Sequence, residues 1–428
     1  MRSPTDKLRR SPLLLFAAEA LNSAAGTLLT VGVLFYMTHR FGWTARENFA
    51  VAACQGMLYV FGALSARRLA DRWKRIAALQ TLYAVMPLLA FSAGFCATRG
   101  WAVPTAIIVA VQTGMMGASW PLLESLVSAA GDPSRLSTRL GWYNIVWSVM
   151  GAIALALSGA IIQYLPPWAF FGIVAIVQIS AGAMITLRRF LRARLSIAEQ
   201  TAAPESNAGK PESSMEESTA MRLRLALWLS RIALPSTYVI IFSLSPALPT
   251  LAAIERLSPT LATIQCSIWF MARAAAFIIF INTVFWRRWP VLTLVAGVTM
   301  LTGFLGTIIS GSLPETDIGV GSGTALFLMA IAQVLLGLSL GTIYACSLYF
   351  GMAISKGSTR HGGYHEALIG LGQALGPIVG VTAQLIRPNA LWPVAVGISV
   401  IVTATIATAT VAGMRIAGGF CAMIGKEP

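Results

Sequence analysis

The sequence predicts an all-α membrane protein of twelve transmembrane helices in two six-helix bundles. Three observations predict it. Of 428 residues, 56% are hydrophobic and only 11% charged, too few charges to solvate a globular surface of this size. The apolar residues fall into twelve runs long enough to cross a bilayer. A polar segment divides those runs six and six, and the basic residues gather in alternate loops.

Taken in order, a basic tail (Arg2, Lys7, Arg9, Arg10) precedes an apolar run from Leu13 to Thr38, too long for a signal-peptide core and suited to a first span. The second span covers Asn48 to Ala66 and the third Ile76 to Ala97, with the basic turn Arg67 to Arg75 between them. The fourth runs from Val103 to Ser128, where Gly131-Asp132-Pro133 breaks the helix. Leu140 to Tyr164 forms the fifth, closed by Pro166-Pro167, and Trp168 to Leu187 the sixth. From Arg188 to Arg224 the composition shifts to Glu, Ser, Pro and Lys, a linker expected to be unstructured between Ala203 and Thr219. The second half places spans at Leu225 to Ala253, Leu261 to Phe285, Val291 to Ile309, Leu326 to Ala353, Gly363 to Ile386 and Leu391 to Ala412. The organisation is thus an N-terminal bundle (1–187), a cytoplasmic linker (188–224) and a C-terminal bundle (225–428).

Charge sets the orientation. The turn R-R-L-A-D-R-W-K-R has five basic residues in nine, and a short loop of that kind stays on the cytoplasmic side. Sorted by predicted side, the 31 Lys and Arg divide into 24 cytoplasmic, five external (Arg40, Arg46, Arg99, Arg256, Arg387) and two within spans (Arg231, Arg273), which places both termini in the cytoplasm. The net charge of +15 then reads as topology and contact with anionic lipid, with no nucleic-acid partner. Arg exceeds Lys 26 to 5, as in a GC-rich bacterial genome, so a bacterial inner membrane is expected.

Within that turn, Leu69, Ala70, Asp71, Arg72 and Arg75 match the G-x-L-A-D-R-x-G-R-(K/R) loop between helices two and three of major facilitator superfamily transporters, which this chain resembles. Arg67 and Lys74 stand where that pattern has its two glycines. A shift of 221 residues also lays Arg139, Gly141, Tyr143, Gly151, Gly159 and Gln163 on Arg360, Gly362, Tyr364, Gly372, Gly380 and Gln384, and Gln112 on Gln333. The resemblance implies two homologous bundles around a midplane site, moving a solute by alternating access. It also implies a cytoplasmic latch at Asp71, Arg72 and Arg75, in which the acid caps or pairs across to a neighbouring helix. A Gly-Pro motif expected in span five of the drug/proton antiporters is replaced here by Leu155-Ala156.

Function should lie where polar groups enter the bilayer, since a charge at its centre costs roughly 2.5–3.5 kcal/mol or more. Glu19, Glu124, Arg273 and Glu366 stand on spans that line the cavity in the superfamily, whereas spans three, six, nine and twelve carry no charge. At about 1.5 Å per residue, Arg273 is near midspan and the three carboxyls roughly 9–13 Å toward the cytoplasm. Helical spacing groups Gln265, Trp269 and Arg273; Glu19, Asn22 and Gly26; Asn144, Trp147 and Gly151; and Glu366, Gly370 and Gln373.

These stripes predict a polar, aromatic-walled cavity whose substrate-binding residues are Arg273, Trp269, Gln265, Asn22, Asn144, Trp147 and Gln373. Two readings of Arg273 stay open: it attracts an anionic or hydrogen-bonding substrate group, or it pairs with a carboxylate and locks helices together. Glu19, Glu124, His365 and Glu366 are candidates for proton coupling or for a gate, with Glu124 paired to Arg135 or Arg139 in the latter case. The small residues Gly372, Gly376 and Gly380, with Pro377, predict close helix contact and a kink in span eleven.

No nucleotide loop, H-E-x-x-H or cysteine cluster is present, so neither an enzyme nor a cofactor or metal is expected. The function expected is a secondary active transporter of a small organic solute, with proton coupling left open. Alternatives are a multidrug or metabolite efflux antiporter, and a non-transporting receptor or scaffold on the same fold. The partners expected are a small molecule, protons and the lipid bilayer, for a monomeric protein.

Overall fold

The structure, a computed structural model, describes residues 12–130, 135–200, 217–283, 291–313, 322–355 and 359–424. Among these, every regular element is helical. Twelve helices are long and apolar enough to cross a membrane: Leu13–Phe41, Ala45–Trp73, Arg75–Thr98, Ala102–Ser128, Thr138–Tyr164, Pro167–Leu191, Arg231–Thr250, Pro259–Asn282, Leu292–Gly311, Gly323–Tyr349, Tyr364–Ile386 and Trp392–Ala412. Their outward faces present large apolar side chains, with Phe61, Leu88, Ile309 and Phe327 62–70% exposed. Such a surface is covered by lipid, where only helices that satisfy their own backbone can stand.

Local sequence explains where the helices begin. Thr44-Ala45-Arg46-Glu47 is a capping box, in which the Thr44 backbone N–H donates to the Glu47 carboxylate at 2.9 Å. Gly42, at φ 68°, ends the first span in the left-handed conformation that glycine favours. Pro167 and Pro259 occupy first-turn positions, where a missing N–H costs nothing. The sixth helix continues past the expected Leu187 to Gln200, and the seventh starts at Glu217 rather than Leu225. Most of the stretch expected to be unstructured, and the Gly131-Asp132-Pro133 break, lie outside the described residues; Glu217 to Thr219 are helical.

The two bundles meet along two seams, where glycine lets backbones touch. On one, the second and eleventh spans pack with Phe49 on Gly380, Gly56 on the Gln373–Ala374 backbone, and Tyr59 and Val60 on Gly370. On the other, the fifth and eighth pack with Gly159 on Pro259, Gly151 on Phe270, and Gly141 on Ile281. A Cβ at Gly56 would stand 2.4 Å from the Ala374 nitrogen, and one at Gly159 2.0 Å from the Pro259 carbonyl oxygen. Gly159 and Gly380, equivalent under the 221-residue shift, therefore do the same work on opposite seams. Gly372 and Gly376 let the seventh span approach the eleventh.

The basic turn is a sharp reversal between Trp73 and Arg75. Lys74 supplies it at φ 62°, ψ 148°, a backbone region that is essentially glycine's. The expected latch takes a different form. Asp71 pairs with Arg67 one turn earlier on its own helix, at 3.5 Å, rather than across to a neighbour. Arg75 makes the cross-helix contact, donating to the Ser125 carbonyl of the fourth span at 3.4 Å, while Arg72 is exposed.

Candidate functional site: a two-ended cavity between the bundles

A cavity of about 600 Å³, open solvent included, lies between the bundles. Its wall draws on spans one, two, four, five, seven, eight, ten and eleven, and on none of three, six, nine or twelve. The first span meets it through Ser23, Gly26, Thr27 and Thr30, just where the helix widens into a π-turn over Leu28–Gly32. A wider turn of this kind re-aims side chains and is frequent at functional sites.

One end of the cavity is cationic. Arg273 is 3% exposed, and its Nε donates to Ser148 Oγ across the seam at 3.0 Å. Its guanidinium carbon stands 3.8 Å over the Trp147 ring, 4.5 Å from Phe270 and 5.1 Å from Trp269. Aromatic faces carry negative charge density, so three rings offset part of what the buried cation loses on leaving water. Nη2 has no hydrogen-bond partner, and the ion pairs among the described residues do not include Arg273. The helix-locking ion pair is therefore not what the structure holds.

The other end is acidic. Glu124 of span four and His365 and Glu366 of span eleven are buried, with ligating atoms within 4.8 Å of one another. Tyr59 donates to Glu366 Oε2 across the seam between spans two and eleven. Neither oxygen of Glu124 meets a hydrogen-bond donor. Two carboxyl groups this close do not both ionise without a proton or a cation between them. Glu19 sits nearby in its own setting, accepting from Ser23 Oγ at 2.7 Å and from Trp120 Nε1 at 3.2 Å. Rings connect the two ends: Trp147 stacks on Tyr344 at 5.0 Å, and Tyr344 meets His365 edge-on at 5.2 Å.

Of the expected binding residues, Arg273, Trp269, Trp147 and Gln373 line the cavity, and Glu366 joins them. Gln265 does not: the eighth span breaks at Ser267, which turns the stripe, and Gln265 donates to the Leu326 carbonyl of span ten instead. Asn22 lies behind the wall against Ser119 Oγ, one helical step from the lining residues Ser23 and Gly26. Asn144 lines a separate small pocket with Phe277 and Tyr349. Glu124 faces Glu366 rather than Arg135, which is exposed, or Arg139, which donates to the Ser128 carbonyl. Gln112 belongs to the interior of its own bundle, donating to the Met86 carbonyl and to Gln178.

Sequence reasoning missed Tyr59, Ser148 and Tyr344, together with Tyr238, which lines the cavity. Their signal was available: a hydroxyl in midspan needs a partner that lipid does not offer.

The family profile described as Major Facilitator Superfamily matches residues 15–377. The chain belongs to this superfamily and is an integral membrane protein with the fold of a secondary transporter. Among solved structures it is similar to the nucleoside transporter NupG: TM-score 0.55, 15% identity, covering 94% of this chain and 98% of that one. A mutant form of NupG gives a TM-score of 0.56, again at 15% identity, with 94% and 99% covered. At this identity the likeness is one of fold. A comparison with curated protein sequences finds no match.

Proposed function

We propose that the chain carries a small organic solute across a bacterial inner membrane by alternating access, with both termini in the cytoplasm, and that it works as a monomer. Arg273 is the substrate's anchor and receives an anionic or hydrogen-bonding group. The carrying observation is the state of that guanidinium: buried, lining the cavity, laid on aromatic rings and without a carboxylate. A buried cation held this way is completed by a ligand that brings the opposite charge. The rings of Trp147, Trp269 and Tyr344 suit a solute with an apolar or aromatic body.

The acidic end supplies the coupling step. Glu366 lines the cavity and belongs to the Glu124 pair, so a proton bound there senses both solute and bundle closure. Glu19, held by Ser23 and Trp120, is the second candidate carrier. No step calls for covalent chemistry or a cofactor.

Thermal unfolding of the purified protein against a panel of organic anions, neutral sugars, amino acids and cationic drugs tests this, since any ligand of the folded state raises the melting point by mass action. Organic anions should stabilise the wild type and lose that effect in Arg273→Met. A panel in which only cationic drugs act, equally on both proteins, would sink the assignment of Arg273.

A further inference from the structure

We propose that Glu124, His365 and Glu366 form a binding site for a transition-metal dication, of which zinc is the probe, closing across the two bundles. Glu124 comes from span four and the other two from span eleven, so all three ligands exist together only while these spans are in contact. Two carboxylates and one imidazole are a donor set that suits zinc, at about 2.0–2.2 Å per bond. Atoms already within 4.8 Å of one another need only a small side-chain contraction to reach such a shell.

The surroundings complete the case. Glu124 is fully buried, and its oxygens meet no donor outside the cluster: they face the Glu366 carboxyl, so the pair has to share a proton or a cation. The remaining contacts orient ligands as outer-sphere groups do at metal sites. Tyr59 donates to Glu366, and Ser347 Oγ stands 3.3 Å from His365 Nδ1. Glu366 also lines the central cavity, which provides the entry path. Bound metal would hold spans four and eleven together and occupy the carboxyls assigned above to the coupling proton, so zinc would arrest the transport cycle. Metal binding itself rests on the geometry alone and does not depend on that assignment.

The test uses the purified full-length protein, stripped with chelator, then incubated with Zn²⁺ and desalted. Metal content per chain and melting temperature are measured for the wild type, Glu124→Gln and His365→Gln. The expected result is one Zn²⁺ per wild-type chain with a higher melting temperature, and a loss of both in each variant. If one variant does not fold, the other decides the matter. Failure of the wild type to retain metal overturns the proposal, as does equal retention in the variants, which would locate the ion elsewhere.

Discussion

The two seams between the bundles solve the same problem with opposite charge. Where spans five and eight meet, a guanidinium is buried against Ser148 and three aromatic rings. Where spans two, four and eleven meet, two carboxyls and an imidazole are buried against one another, with Tyr59 as the seam's donor. Neither seam uses the other's charge. An Arg273–Glu366 pair would have neutralised both charges within the C-terminal bundle, at the cost of the cavity between them. In the function proposed above, keeping the charges apart leaves each seam to be completed from outside: an anion at one, and a proton or metal at the other.

The largest expected effect comes from removing the cation. Arg273→Met keeps the unbranched apolar stem but removes the guanidinium that lies on the rings, a buried charge with no ionic partner among the described residues. Replacing such a charge with a well-packed apolar side chain is often neutral or stabilising. Transport in proteoliposomes should fall at least ten-fold, about 1.4 kcal/mol of lost recognition, while the melting temperature holds or rises. A protein that melts several degrees earlier yet still responds to its ligand would turn Arg273 back into a structural residue and break the comparison.

The acidic seam should answer differently. Glu124→Gln gives Glu366 an amide donor in place of a competing carboxyl, so folding stability should change by less than about 1 kcal/mol. Ligand-induced stabilisation should persist, since Arg273 is untouched. Accumulation driven by a proton gradient should drop several-fold, while gradient-independent exchange continues. Loss of ligand binding in this variant would mean that the two ends do not divide the labour.

The glycines let the seams be compared as hinges. Gly56→Ala and Gly159→Ala each push a methyl into a facing backbone, which cannot move aside as a side chain can. Overpacking of this kind costs about 1–3 kcal/mol, read as a lower melting temperature in either variant. Cross-linking accessibility of the cavity sharpens the result. If one substitution opens the cavity and the other only destabilises, the first marks the seam that parts during transport.

The legibility of these features in the sequence follows their physics. The helices were readable because lipid imposes an unbroken apolar length; that spans three, six, nine and twelve carry no charge was read from composition, and that the other spans line the cavity came from the resemblance to the superfamily. Arg273, Trp147, Trp269 and Gln373 were found through helical periodicity, which holds while a helix stays regular. It failed where the helix did not: the break at Ser267 removed Gln265 from the wall, and the π-turn at Leu28–Gly32 has no periodic signature. The Glu124–His365–Glu366 cluster was illegible for another reason. Glu124 lies more than 200 residues from the adjacent His365 and Glu366, and only the packing of spans four and eleven joins them.

The smallest expected effect tests a glycine that is missing. Both seams place glycine where backbones must meet, yet the basic turn asks Lys74 to hold φ 62°, ψ 148°. A side chain there costs of order 1–3 kcal/mol. Glycine adopts the conformation freely but loses about 0.5–1 kcal/mol more entropy on folding. The balance favours Lys74→Gly by about 1 kcal/mol, seen as a slightly higher melting temperature. Lys74 is exposed, and no ion pair among the described residues uses it, so deleting its charge removes little. If the variant instead loses transport while gaining stability, the strained turn stores energy that the moving bundles release, and it belongs to the cycle with the two seams.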